Sequence, residues 1–182
     1  MFGRIRSKLM VPARSFARAQ GGAAAVEFAL VAAPFLALVF AIVETALVFF
    51  AGQTLEAAAT DTGRLIMTGQ AQTAGYSQND FKTAVCNRLA GGLFNCNNGV
   101  YVDVKTYSSF TSISTTPPIT NGNLDTSNMT YTPGGPGDIV VVRLYYQWPV
   151  YVSMFSNNLS NLTGNQRLLV ATTVFRNEPY GS

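Results

Sequence analysis

Few side chains in this sequence are equipped for chemistry, and the most unusual of them is an acid at the edge of an apolar run. Glu27 follows Gly22 by five positions, with Ala23, Ala24 and Ala25 between them, and no residue from Phe28 to Val43 is charged. An ionised group in hydrocarbon costs at least ~2.5 kcal/mol, so a carboxylate placed here needs either an interface or a cationic partner. Cys86 and Cys96, the only two cysteines, are separated by nine residues, which suits a disulfide and lacks the Cys-x-x-Cys spacing of a redox centre. Histidine is absent, which removes the commonest general base and the commonest transition-metal ligand. Asp80, Asp103, Asp125, Asp138 and Glu178 form no paired-carboxylate motif and no calcium loop, and neither phosphate-cradling glycine motif occurs. The expectation is a protein that is not an enzyme, with no metal, no cofactor and no small-molecule substrate.

What must position Glu27 is a long helix. At ~1.5 Å rise per residue, Phe28 to Ala51 extends ~36 Å against a hydrocarbon core of ~30 Å, enough to span a bilayer with some tilt. Pro34 lies mid-span and is expected to kink or locally unwind it. Glu44, seventeen residues beyond Glu27, falls ~25 Å further along the axis and is expected near the outer headgroups. Past the membrane, Leu55, Ala58, Ala59, Thr62 and Ile66 share one face, while Glu56, Asp61 and Arg64 lie elsewhere, so an amphipathic extension continues to Gln72.

Charge is distributed asymmetrically about this helix. Arg4, Arg6, Lys8, Arg14 and Arg18 precede it with no acid among them, whereas the rest of the chain carries seven basic and nine acidic residues. The net charge of +3 and pI near 9.0 therefore belong to the leader and do not signal nucleic-acid binding. By the positive-inside rule the leader end is cytoplasmic and the bulk of the chain extracytoplasmic, where a disulfide is permitted. A secretory signal peptide is disfavoured, because the apolar run exceeds the ~7 to 15 residues of an h-region and no small-x-small site follows it.

The stretch GGAAAVEFALVAAPFLALVFAIVE resembles the TadE-like family, pilin-like proteins of the tight-adherence (Tad/Flp) pilus, and VFRNEPY near the C-terminus is similar to the family's usual ending. Many members carry a Gly-Arg pair after the second glutamate; this chain has Thr45 and Ala46. The resemblance implies that a prepilin peptidase cuts after Gly22, leaving Ala23 as the new N-terminus and Glu27 as its fifth residue. It also implies a cation for Glu27, the freed α-amino group of a neighbouring subunit, although Glu27 could instead snorkel at the cytoplasmic interface. The implied partners are that peptidase, the major pilin, other pilin-like subunits and inner-membrane lipid.

The remaining chain reads as a head of α+β class. Ser77 and Asp80 suit a helix N-terminus, and Phe81, Ala84, Val85 and Leu89 then share a face, with Gly91 and Gly92 ending the helix. Residues 101–107 alternate, with Val102, Val104 and Thr106 on one side and Asp103 and Lys105 on a wet one. Residues 138–148 make a strong strand that Pro149 stops, and 167–175 a final one. Residues 111–137, rich in Ser, Thr, Pro, Gly and Asn, are expected to form a long surface loop and a variable contact surface. The expected domains are a leader at 1–22, a transmembrane helix with its extension at 23–72, and a head at 73–182. Together they make the pilin-like architecture of a long helix packed on a small antiparallel sheet.

The leading functional expectation is a minor pilin or pseudopilin of a Tad-type (type IVc) pilus, in the bacterial inner membrane and in the pilus, needed for assembly or initiation. Two competitors remain: an uncut single-pass periplasmic scaffold of an export apparatus, and a membrane-tethered adhesin using residues 111–137.

Overall fold

A computed structural model describes residues 21–89, 92–151 and 159–180, so most of the leader lies outside the described residues. The chain divides into two compact units, Met1–Ile42 and Val43–Ser182. Helix α1 (Gly21–Met67) is unbroken through Pro34, so the unwinding expected at that residue does not interrupt it. It ends five residues short of the expected Gln72, because Gly69 turns left-handed (φ 74°) and a separate short helix, α2 (Gln70–Thr73), follows.

In the second unit, α1 lays its apolar stripe on an antiparallel sheet. Leu55, Ala58, Ala59, Thr62 and Ile66 are all buried, as their spacing predicts. Full burial of a Leu or Ile side chain contributes roughly 1.5–3 kcal/mol. The sheet has strand order β1 (Val100–Tyr107), β4 (Ile139–Pro149), β5 (Gln166–Arg176), each neighbour antiparallel. The ladder stops at Pro149, as expected, with the proline itself paired opposite Gln166 as the last residue of β4. The inner face presents Val102, Val104, Val140, Val142, Leu144, Leu169 and Ala171 to the helices. Gly63 permits close helix-to-strand approach: a Cβ there would lie 2.8 Å from Thr173 Cγ2.

Helix α3 (Gln78–Cys86) starts with a full capping box, Ser77 accepting from Asp80 N–H while the Asp80 carboxylate accepts from Ser77 N–H. The Ser77 bonds hold the Asp80 carboxyl below the usual carboxylate range, so the cap's contribution is present at neutral pH and is lost as pH falls through that depressed value. The helix ends at Cys86, earlier than the glycine pair, and Phe81, Val85 and Leu89 are buried in the core. Cys86 is disulfide-bonded to Cys96, which opens the one-turn helix α4 (Cys96–Gly99).

Residues 111–137 are the main departure from expectation. They carry a two-stranded hairpin, β2 (Ile119–Thr120) with β3 (Asn123–Leu124), and lie on the outer face of the sheet as a second layer. Ile119, Leu124 and Met129 pack with Tyr101, Tyr145, Leu162 and Leu168. Asp103, expected on a wet face, is therefore buried; it pairs with Lys105 at 3.0 Å, lies 3.9 Å from Arg143, and accepts from Thr130 N–H at 2.9 Å. Arg143 donates to Ser114 O, and Thr132 N–H and Thr130 O close β1's free edge at Val104.

Tyr131, at the end of this layer, packs on Phe81 with ring centroids 5.5 Å apart, yet its hydroxyl is buried without a hydrogen-bond partner among the described residues. Burial, with the Asp80 carboxylate and Tyr76 nearby, pushes its pKa up from 10.0 to about 12. The stability linked to this proton is fully present below about pH 10 and is lost as pH rises through about 12. Tyr131→Phe keeps the ring and removes an unsatisfied hydroxyl, so it should leave the neutral-pH melting temperature unchanged or raised and blunt the alkaline loss. Thermal melts of the two proteins at neutral and alkaline pH check this; an equal alkaline loss in both would contradict it.

Candidate functional site

Gly22, Ala23 and Glu27 lie in the first turns of α1 and are exposed. A Cβ at Gly22 would meet nothing within 4 Å among the described residues, so no packing contact with them requires glycine there. Glu27 has no hydrogen bond or ion pair to another described residue, and its neighbours Val26, Phe28, Leu30 and Val31 are exposed as well. Phe28 is 75% and Phe35 60% exposed, and the exposure continues around the helix through Phe40 and Ile42. Soluble proteins rarely present an apolar surface of that extent to water. Among the described residues, α1 is the one helix long and apolar enough to cross a membrane.

The two glutamates of the apolar stretch have different surroundings. Glu44, expected near the headgroups, is buried in the second unit, where its carboxylate accepts from Tyr151 N–H just past the end of β4. It ties the segment after β4 to α1, whereas Glu27 has no such cover among the described residues. Sequence reading missed this role, because nothing local to Glu44 announces a partner more than a hundred residues away.

The C-terminal motif also acquires a structural meaning. Asn177 Nδ2 donates to Pro133 O at 3.0 Å and Gly135 O at 2.9 Å, while Gln72 Nε2 reaches Pro133 O at 3.1 Å. Tyr180 donates its hydroxyl to Gly134 O at 3.2 Å, and Glu178 N–H donates to Met67 O at 2.9 Å, satisfying a carbonyl at the end of α1. The Asn-Glu-Pro-Tyr run thus fastens the glycine-rich segment 133–137 to the C-terminal end of α1. The Tyr180 ring lies over Gly69, where a Cβ would come within 2.2 Å of its Cγ. Gly69→Ala must both strain a left-handed residue and displace that ring, and should cost about 1–3 kcal/mol. A drop in melting temperature with loss of protease resistance at the C-terminus checks it; an unchanged melt would show that the ring does not hold this corner.

Among the described residues there is no group of three His, Cys, Asp or Glu that could hold a metal ion. The Asp125 carboxyl is held below its ordinary value by bonds from the Ser127 side chain and backbone, a turn-stabilising arrangement on the surface. Cys86 and Cys96 are both consumed in the disulfide, Cα to Cα 5.8 Å, which leaves no thiol for chemistry.

A family model described as TadE-like protein matches residues 22–64, from the junction glycine through the buried stripe of α1. No curated protein and no solved structure matches the chain.

Proposed function

We infer from the TadE-like segment at residues 22–64 that this chain works with the Tad pilus, as a minor pilin or pseudopilin that a prepilin peptidase cuts after Gly22. α1 anchors it in the inner membrane with the leader in the cytoplasm and the head outside. Cleavage frees the α-amino group of Ala23 and removes a leader with five basic residues. An α-amino group is cationic near neutral pH, and one from an adjacent subunit can pair with Glu27, setting the register of one α1 against the next. Ala29, Ala32, Ala33, Ala37 and Ala41 let neighbouring helices approach closely. The head supplies recognition and no catalysis, with the major pilin and other pilin-like subunits as partners, and the complex initiates or supports assembly.

The observation that carries this reading is the exposed Glu27, unpaired among the described residues and five positions past a glycine that packing against those residues does not require. Co-expression with a prepilin peptidase tests it. The wild-type chain should shorten to a species beginning at Ala23, and Gly22→Ile should stay full length while still reaching the membrane. A wild-type chain left intact by an active peptidase would favour the uncut scaffold instead.

A further inference from the structure

We propose that the head carries an interfacial lipid seat, a hollow of about 570 Å³ at the end of β4 that rests in the phospholipid headgroup layer on the outer side of the bilayer. The proposal rests on the reading of α1 as a membrane span. The seat is built from Leu47 of α1, Leu93 and Phe94 of the disulfide-closed loop, and Trp148, Pro149 and Tyr151. Among the described residues no charged side chain lines it. Phe94 meets Tyr146 edge-on at 4.9 Å and Trp148 at 6.2 Å, and Asn95 N–H donates to Tyr146 Oη at 3.0 Å, so the lip is fixed onto the sheet.

Three observations select lipid as the occupant. Residues 28–43 carry no charge, and by helical rise the next turns, which include Leu47, fall near the bilayer boundary opposite Glu27. Apolar side chains of the second unit stand exposed at the seat: Leu47 is 42% and Tyr151 81% exposed. Tyrosine and tryptophan, apolar rings with a polar tip, are the side chains enriched where acyl chain gives way to headgroup.

Trp148 is the sole tryptophan, so its emission reports on the seat alone. The full chain would be reconstituted in phosphatidylcholine vesicles, either plain or brominated at a shallow or a deep position of the acyl chain. The expected result is loss of Trp148 emission in the shallow-brominated lipid, a smaller loss in the deep-brominated lipid, and little quenching by aqueous acrylamide. A Trp148→Phe, Tyr151→Trp chain, with the reporter on the exposed ring, should show the same order more strongly. Emission equal in plain and brominated vesicles, from a chain that resists alkaline extraction, would overturn the seat and leave the anchor standing. The same equality in the Trp148→Phe, Tyr151→Trp chain, with acrylamide excluded from that exposed position, would overturn the seat and assign the hollow to a protein surface such as a second copy. A chain stripped off by alkali would overturn the seat and the span together.

Discussion

A Glu27→Gln chain is expected to reach the membrane, fold its head and then fail to enter fibres. The substitution removes a charge and little volume from an exposed helical position, in a unit distinct from the one that holds the sheet and its core. Insertion should be no harder, since a neutral amide avoids the ~2.5 kcal/mol or more that an ionised group costs in hydrocarbon. What is lost is the only acid between residue 22 and Glu44, and with it, on the proposed function, the partner for a neighbour's terminal cation. Glu44 cannot substitute, because it is buried against the head and bonded to Tyr151. Immunoblots of membrane and sheared-fibre fractions make the comparison: normal amounts in the first, none in the second. Fibre incorporation at the wild-type level would remove Glu27 from subunit registry and leave it as a residue that only snorkels.

The second large effect is on stability. Replacing Cys86 and Cys96 together by serine opens a loop of sequence separation 10. Loop-closure entropy assigns such a crosslink about 3 kcal/mol, a drop of roughly 10 °C in melting temperature for a head of this size. The loop it closes carries Phe94, whose contacts with Tyr146 and Trp148 depend on its staying on the sheet. Reductant added to the parent protein should reproduce the shift and leave the double variant unaffected. A double variant that melts with the parent would mean that aromatic packing alone holds the loop.

The parts of the fold visible in the sequence are those written in short-range periodicity. The stripe from Leu55 to Ile66, the Ser77 and Asp80 cap, and the alternation of β1, β4 and β5 each follow from residues within a turn or a strand of one another. The long apolar helix with its acid at the N-terminal edge was legible for the same reason. The hairpin and the second layer within residues 111–137 were not legible, because composition reports only that backbone is irregular. What holds them down is distant: Asp103, Arg143, Gln72 and Asn177 bonding to main-chain atoms that any sequence possesses. Asp103 looked wet by alternation, since alternation says which face a side chain takes and nothing of what later covers that face. The C-terminal run could be recognised as a family ending without revealing that Tyr180 needs a glycine at position 69 to lie against.

Cleavage at one peptide bond separates a pilin-like subunit from a permanent membrane scaffold, and intact mass spectrometry of the chain extracted from fibre-producing cells reads that bond directly. The account predicts a single species with Ala23 at its N-terminus, present in membranes and in sheared fibres alike. A species that still begins at Met1 in cells making normal fibres would contradict it.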